Sequence, residues 1–386
     1  MNADNGIKVK SFKGTRGGNE HFFIIKATPS LSLEEQIEEV QERYAASLES
    51  LNLAPETAIF RRIFLSDAIN QAPLVRASSL AAETKKNPVA VSIIQQTPLP
   101  GSKIALLAHH IESPHPIKKK RLLGKHVLIE KNNLRHLWST GLCAGAHAAS
   151  SPETVQTREV FNDLIEALSR QKCNLGDHCV RTWLFMKDVD VFYRGMVSAR
   201  REYFEKFGMN ENTHYIASTG IEGACEHQFD LVSMDAYTLP DLRPEQMSYL
   251  NDFDYLCPTK DYNVTFERGT KIAYADRAHH FISGTASIDM KGDVVFIGDV
   301  MKQVERTLTN IDRLLLSGGA KLDDMMYFIV YLRDPADYEN IDACLAQRFP
   351  ATPYVIVQGP VCRPEWLIEI EGVGIAPNDT PHLPEF

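Results

Sequence analysis

The amino-acid sequence predicts an α+β protein built from three tandem copies of one small module. A helix–turn–strand pattern recurs three times along the 386 residues. Each recurrence is followed by a second helical stretch and two apolar strands. The chain is also longer than one ordinary core requires, so two or three domains are expected. The predicted order within each copy is β-β-α-β-α-β-β.

The three long helices are the clearest part of the repeat. In each of them apolar residues return at intervals of three and four, which is the spacing of an amphipathic helix. A short polar turn and a strand-like apolar run follow each helix. The helices are predicted at Leu33 to Leu51, Pro152 to Gln171 and Asp299 to Ser317, and the strands at Ile59 to Leu65, Cys179 to Met186 and Met326 to Leu332.

An aspartate follows each of these strands and precedes the second helical stretch. The three aspartates are Asp67, Asp188 and Asp334, and their spacing fits one module plus a linker. A carboxylate at a helix N-terminus accepts hydrogen bonds from free amide groups and suits the helix dipole. We therefore expect helix caps at these positions rather than catalytic groups.

Two apolar strands end each copy, and a hairpin is expected before each long helix. The strand pairs are Val89 to Gln95 with Lys103 to His109, Tyr215 to Gly220 with Phe229 to Ala236, and Tyr354 to Gln358 with Trp366 to Gly374; the hairpins are near His21 to Lys26, around His136 to Ser139, and from Asn263 through Phe281 to Val295. Polar, proline-bearing stretches place the modules at residues 1–120, 121–255 and 256–386. Three such sheets can bury their open faces against one another in an intrachain pseudo-trimer.

Charge and hydropathy narrow the range of partners. The net charge of −9 repels phosphate backbones, and the lone basic run from Lys118 to Arg121 is interpreted as a solvated linker. The N-terminal stretch Met1 to Gly18 is polar, and no segment approaches the roughly 18 apolar residues that a membrane span needs. We expect a cytoplasmic protein without a nucleic-acid or membrane partner.

The cysteines and histidines predict no metal and no cofactor. The seven cysteines include no CxxC pair, and Cys173 and Cys179 lack a second ligand cluster at zinc-finger spacing. Adjacent histidine pairs occur at 109–110 and 279–280. Neighbouring side chains in a strand point to opposite faces, so neither pair can bind one ion.

Three segments of the third copy carry a family resemblance. Phe281 to Asp289, Val330 to Asp334 and Leu367 to Glu371 together resemble the Rid/YjgF, or endoribonuclease L-PSP-like, superfamily. The resemblance implies a chorismate-mutase-like fold that normally forms homotrimers with active sites between subunits. This chain would be a monomer that acts as a pseudo-trimer, and further oligomerisation stays open.

Typical Rid enzymes hydrolyse enamines and imines. The resemblance implies that they use an arginine at the start of the penultimate strand, which grips the substrate carboxylate, and a glutamate on the last strand. In this chain the arginine position falls on Thr352 or Pro353, and the matching stretches at 87–89 and 213–215 also lack an arginine. Of these two residues, the glutamate is therefore present and the arginine is missing.

The second and third copies are similar to the chorismatase branch of the superfamily, with the second copy resembling its N-terminal part. The motifs are Arg181-Thr182-Trp183, Tyr193-Arg194, Ala199-Arg200, Ser218-Thr219-Gly220, Phe266 to Gly269 and Ser283 to Ser287. Cys362, seven residues before Glu369, is similar to the cysteine-type members that form hydroxybenzoate. The resemblance implies cleavage of chorismate to pyruvate and either a dihydroxycyclohexadiene carboxylate or a hydroxybenzoate.

Glu369 is the predicted catalytic acid. The last strands of the three copies align Leu106, Ser233 and Glu369, so only the third copy carries an acid there, and the first is expected to be structural. Apolar neighbours on either side would desolvate Glu369 and raise its pKa towards neutrality. Glu371 shares its face of the strand and remains an alternative acid.

The other predicted site residues would bind the substrate. A dianion needs local cations, and guanidinium groups pair well with carboxylates. Cys362 lies in a loop without features that activate a thiolate, so it is expected to shape the pocket or capture an intermediate. The predicted binding residues are Arg181, Tyr193, Arg194, Arg200, Tyr215, Arg268, Gly284 and Thr285.

Two other functions remain open at this point. One is a Rid-type enamine or imine hydrolase that takes its arginine from another copy. The other is a non-catalytic protein that binds a carboxylate metabolite in the pocket between modules.

Overall fold

Three similar β-sheets, each with its own helices, make up the computed structural model. It describes residues 6–16, 18–145, 150–259 and 264–386. Asn263, where the third predicted hairpin begins, lies outside these ranges, as do Met1 to Asn5 and Gly17. Each sheet is formed by one continuous stretch of chain, which confirms the α+β class and the three tandem modules.

The first module has one five-stranded sheet. Its elements are β1 (Ile7–Lys13), β2 (Asn19–Lys26), α1 (Leu33–Ser50), β3 (Ala58–Leu65), α2 (Ala68–Ala77), β4 (Ala90–Gln95) and β5 (Ile104–Glu112). The strands lie in the order β1-β2-β5-β3-β4. Strands β3 and β4 are parallel, and the other neighbours are antiparallel.

The second module has six strands. Its elements are β6 (Lys118–Leu122), β7 (His126–Lys131), β8 (Leu134–Cys143), α3 (Glu153–Arg170), α4 (Leu175–His178), β9 (Cys179–Met186), α5 (Val189–Lys206), β10 (Ala217–Glu222) and β11 (Val232–Thr238). The strand order is β10-β9-β11-β8-β7-β6, with β9 and β10 parallel.

The third module repeats this arrangement. Its elements are β12 (Met247–Tyr249), β13 (Gly269–Ala273), β14 (Arg277–Ala286), α6 (Val300–Ser317), β15 (Met325–Leu332), α7 (Tyr338–Arg348), β16 (Tyr354–Gln358) and β17 (Ile368–Pro377). The strand order is β12-β13-β14-β17-β15-β16, with β15 and β16 parallel. The predicted element order therefore holds in every module, with β6 and β12 as additional edge strands.

The basic run from Lys118 to Arg121 is not a linker, as the sequence suggested, but forms β6, which pairs with β7. Lysine is well suited to an edge strand because its ammonium group can extend away from the sheet. Lys119 Nζ donates to the main-chain oxygen of Ala58 at 2.5 Å, so this strand also contacts the first module. Sheet membership changes between β5 and β6 and between β11 and β12. The module limits at 120 and 255 stay a prediction.

The three marker aspartates cap the elements that follow them, as predicted. Each carboxylate accepts a hydrogen bond from a main-chain amide two or three residues later. The pairs are Asp67 with Asn70 (3.3 Å), Asp188 with Val191 (3.2 Å) and Asp334 with Ala336 (2.9 Å). Asp334 caps a short 3-10 turn, Pro335–Asp337, that leads into α7.

The faces of the three sheets that no helix covers meet along a central axis. Aromatic side chains from all three modules pack there, for example Phe60 on Trp138 at 4.6 Å and Tyr237 against Phe281 at 5.5 Å between ring centroids. This burial of aromatic surface stabilises the association of the modules. None of the described helices is long and apolar enough to cross a bilayer.

Buried ion pairs join each module to the next around the axis. The pairs are Arg62 with Asp235 (2.8 Å), Arg181 with Glu371 (2.6 Å) and Arg277 with Glu20 (2.9 Å). Isolated backbone bridges follow the same cyclic order: Gln95 with Ala224, Ile221 with Val361, and Val357 with Pro98. The modules therefore form a closed ring.

Replacing Arg62 with methionine is expected to lower the free energy of unfolding by about 3–5 kcal/mol, because Asp235 stays buried without its cation. Urea unfolding followed by circular dichroism measures this change. Arg158→Met is the matched control, since Arg158 and Glu202 form an exposed pair that should contribute less than about 1 kcal/mol. The double variant Arg62→Met/Asp235→Leu should regain part of the loss, and equal effects of the two single variants would contradict the prediction.

Candidate active site

A cavity of about 230 Å³ lies between the second and third modules. Strand β10 and helix α5 of the second module form one wall, and β14, β17 and the loop after β16 form the other. Its lining residues are Tyr193, Arg200, Ser218, Thr219, Gly220, Val264, Phe266, Arg268, Gly284, Ala286, Ile288, Cys362, Arg363, Trp366 and Glu369.

Glu369 reaches this cavity from β17 because Gly284, a nearby residue of β14, has no side chain. A Cβ atom on Gly284 would lie 2.1 Å from Oε1 of Glu369, far inside van der Waals contact. The β14–β17 register shifts between Ile282 and Thr285, which sets Gly284 in an irregular part of the ladder. Its N–H group donates to Oγ1 of Thr219 at 2.9 Å, which ties β14 to the second module.

The carboxyl group of Glu369 is held in its protonated form. Burial raises its pKa to about 8, and the negative charge of Glu371 adds to this effect. Arg181 and Arg268 act in the opposite direction but do not outweigh these causes. At neutral pH Glu369 can therefore donate a proton into the cavity.

Glu371, the alternative acid, has a different environment. Its two oxygens accept hydrogen bonds from Arg181 Nη2 at 2.6 Å, Trp183 Nε1 at 2.9 Å and the Tyr331 hydroxyl at 3.0 Å. The hydroxyl of Thr219 donates a further hydrogen bond. The side chain is 1% exposed and does not line the cavity. These contacts make it a structural carboxylate between modules.

Two arginines supply positive charge to the cavity. Nε of Arg200, on α5, donates to Oγ1 of Thr265 at 3.0 Å, and Nη1 contacts Oγ of Ser218 at 3.4 Å. Nη2 of Arg200 is buried and finds no hydrogen-bond acceptor among the described residues. Arg268 lies just before β13 and donates to the Cys257 main-chain oxygen at 3.2 Å. Guanidinium groups held in this way are suited to bind carboxylates.

Cys362 lies in the loop after β16, beside Glu369. Burial raises the pKa of its thiol to about 12, with a further contribution from the Glu369 carboxylate. The thiol therefore stays protonated at neutral pH and is not an activated nucleophile.

The structure brings together six of the ten predicted site residues. Glu369, Cys362, Tyr193, Arg200, Arg268 and Gly284 all line the cavity. Four others lie outside its lining: Arg181 pairs with Glu371, Arg194 is exposed on α5, Tyr215 packs against Phe204, and Thr285 donates to the main-chain oxygen of Ser283.

Three lining residues lie outside the motifs on which the sequence interpretation rested: Val264, Arg363 and Trp366. Arg363 lies over the Trp366 ring at 4.8 Å, and Nε1 of Trp366 donates to the Ser287 main-chain oxygen at 3.1 Å. Their place in the same loop as Cys362 was the signal that could have identified Arg363 and Trp366. Val264 is an apolar loop residue without such a signal.

Comparisons with known proteins agree with this architecture. A sequence model of the family described as Endoribonuclease L-PSP matches residues 272–376. The 3-aminoacrylate deaminase RutC of Acinetobacter baylyi is 35% identical over 95 residues, which are 24% of this chain and 75% of that protein. A RutC family protein of Pyrococcus horikoshii is 33% identical over 95 residues, with the same shares covered.

A crystal structure of a chorismatase shares the fold along most of the chain. The match has a TM-score of 0.61 and 16% identity, and it covers 93% of this chain and 99% of the chorismatase chain. Together with the sequence relatives, this match shows that the chain belongs to the Rid/YjgF, or endoribonuclease L-PSP-like, family and carries three tandem modules of its fold.

Proposed function

We propose that the protein is a hydrolase of chorismatase type that cleaves chorismate by protonating its enolpyruvyl ether. The observation that supports this most is the protonated, buried carboxyl of Glu369, which faces a cavity that also contains Arg200 and Arg268. A general acid beside two cations suits a dianionic substrate that must accept a proton. We place this activity in the cytoplasm, where free thiols such as the seven in this chain persist.

The chemistry needs one acid and one water molecule. Glu369 donates its proton to the methylene carbon of the enolpyruvyl group, which leaves an oxocarbenium ion at the ether carbon. Water adds to that carbon, and the resulting hemiketal breaks its bond to the ring oxygen. Pyruvate and a dihydroxycyclohexadiene carboxylate leave, and the proton released by the water returns to Glu369. Loss of water from this diene would give the hydroxybenzoate.

The positions of the other cavity residues suit binding roles. Nη2 of Arg200, which has no acceptor within the described part of the chain, can bind a substrate carboxylate, and Arg268 can pair with the second carboxylate. The protonated thiol of Cys362 lies beside Glu369, where it contacts the reacting group rather than attacks it. Tyr193 completes this wall from the second module.

A Rid-type imine hydrolase is the second candidate, because a 3-aminoacrylate deaminase is 35% identical over 95 residues. The residues that stand where Rid enzymes have their arginine argue against an imine hydrolase. Strand β16 begins at Tyr354, and the preceding Thr352 is buried, where its hydroxyl accepts from Nζ of Lys10 at 3.2 Å. Arg200 or Arg268 would have to replace the missing arginine.

Chorismate incubated with the purified protein is expected to release pyruvate, detected by coupling to lactate dehydrogenase. Glu369→Gln should lower kcat by about 10²–10⁴-fold, because glutamine cannot protonate the ether. Activity of the natural protein should be level below pH 8 and fall as the pH rises through about 8, where Glu369 loses its proton. Chromatography of the ring product distinguishes the diene from the hydroxybenzoate.

Glu365→Gln, which removes an exposed carboxylate of the neighbouring loop, is the matched control and should keep full activity. Tight chorismate binding without pyruvate release would support a binding protein instead. Turnover of iminopyruvate with no effect on chorismate would establish the imine hydrolase.

The protonated state of Glu369 can be tested without any substrate. Its pKa is about 8 in the folded protein against 4.5 for an ordinary glutamate, so the unfolded chain loses this proton first as the pH rises. The free energy of unfolding should therefore fall by roughly 1 kcal/mol per pH unit between pH 4.5 and 8 because of this group. Unfolding midpoints of Glu369→Gln should show a weaker decline over this interval, and identical pH profiles would contradict the assignment.

Gly284→Ala is expected to lower kcat by about 10²-fold or more, because the new methyl group displaces the Glu369 carboxylate and small displacements of a catalytic group are costly. Gly220→Ala is the matched control in the same cavity. Its Cβ would meet Cε2 of Tyr193 at 3.1 Å, which a small movement of the ring can relieve. Equal activity of the two variants would show that the position of Glu369 does not depend on Gly284.

A further inference from the structure

A second cavity, of about 270 Å³, lies between the first and second modules. It occupies the place that corresponds to the Glu369 cavity. Ala224 bridges to Gln95 of the first module as Val361 bridges to Ile221 of the second, and each is followed by a cysteine, Cys225 or Cys362. The ring of modules has thus produced two related pockets.

The chemistry of this second pocket differs from that of the first. In β11 Ser233 lies opposite Cys143, whereas in β17 Glu369 lies opposite Ala286. The second pocket therefore has no acid at the position of Glu369 and has a thiol where the other pocket has a methyl group.

Four potential metal ligands, including this Cys143 thiol, lie close together. One ligand atom each of Cys143, His227 and Asp230 lie within 4.8 Å of one another. The thiol of Cys225 lies 3.6 Å from Oδ2 of Asp230, which adds a fourth donor. The side chains of Cys225 and Cys143 also interact, so the two thiols are neighbours.

We propose that Cys143, Cys225, His227 and Asp230 form a binding site for one Zn²⁺ ion, distinct from the Glu369 cavity. Two sulfurs, one nitrogen and one oxygen are a set of four donors that zinc accepts in tetrahedral geometry. With bonds of about 2.0–2.3 Å, opposite ligands of one zinc ion lie within roughly 4 Å of each other. The 4.8 Å spread of Cys143, His227 and Asp230 therefore requires only small side-chain movements to close on an ion, and the Cys225 thiol joins them from beside Asp230.

The surroundings of the cluster suit a cation bound by thiolates. Oδ1 of Asp230 accepts from the Gly145 N–H at 3.1 Å, which fixes the carboxylate. Nζ of Lys125 lies 3.5 Å from Sγ of Cys143 and adds a positive charge beside the cluster. Two thiolates, one carboxylate, one ammonium group and Zn²⁺ sum to zero charge. The exposed side chain of His227 gives an ion access from solvent.

Glu226 links this cluster to the first module. Its Oε1 lies 4.0 Å from Nε2 of His227, and both of its oxygens accept from Arg76 on α2, at 2.6 and 2.8 Å. A carboxylate beside a ligating imidazole is the usual outer partner that orients the ring. Metal binding would therefore also strengthen the contact between the first two modules.

The test uses the full chain, freed of metal with a chelator and kept reduced. Zn²⁺ should bind at one ion per chain in competition with a chromophoric chelator, and Co²⁺ should give a thiolate-to-metal charge-transfer band. Zn²⁺ should also protect two thiols from a disulfide reagent. Cys143→Ser, Cys225→Ser and His227→Ala should each weaken binding, the two cysteine variants by more than about 100-fold, beyond the usual cost of losing an outer partner.

Cys344→Ser, which alters another half-buried free thiol, and Glu369→Gln are the controls and should bind one ion with unchanged affinity. Retained binding in both cysteine variants, or loss of binding in Glu369→Gln, would overturn the assignment. A Cys143–Cys225 disulfide that forms on mild oxidation, with no Zn²⁺ bound by the reduced protein, would overturn it too. If a cysteine variant does not fold, the thiol protection in the natural protein decides the matter.

Discussion

The buried carboxylate of Glu371 is the contact on which the ring and its site both depend. Arg181 pairs with it from the second module, and Nη1 of Arg62 approaches to 3.7 Å from the first. A charge buried this deeply is tolerated only when its partners stay in place, so it fixes β17 relative to both other modules. Glu369, two residues earlier, is thereby aimed at the cavity. The same negative charge helps to raise the pKa of Glu369, which joins the assembly of the ring to the acidity of the site.

In a single chain the three modules can carry different side chains at corresponding positions, whereas the subunits of a homotrimer are identical. The strand register pairs Ala105, Ser233 and Glu369 with residues at the same place before the marker aspartates, so the corresponding residue of the first module is Ala105 and not Leu106 as predicted. Of these three residues one is apolar, one polar and one acidic. Each pocket is formed by residues of two modules, so a change in one module alters a single interface. One interface therefore carries the buried acid Glu369, while its neighbour carries the thiols of Cys143 and Cys225. The cyclic backbone bridges hold the shared geometry constant while the side chains diverge.

Periodicity and capping predicted the elements well because both are local properties of the chain. The long helices, the strands after them and the caps at Asp67 and Asp188 were all found as predicted. The run from Lys118 to Arg121 was misread because charge alone does not distinguish a linker from an edge strand. For the candidate site, the burial and raised pKa of Glu369 could be predicted from its apolar flanks. The partner of Arg181 could not, since it lies 190 positions away in another module.

The closed ring of backbone bridges has no first or last member, because Val357 of the third module returns to Pro98 of the first. The interfaces, and not the order in which the chain visits the modules, hold the assembly together. A circularly permuted chain that starts at the second module would contain the same three interfaces. The linkers contribute mainly effective concentration, whose free energy changes slowly with their length. The fold therefore does not depend on the order of the modules along the chain, whereas it depends strongly on the faces through which the modules contact one another.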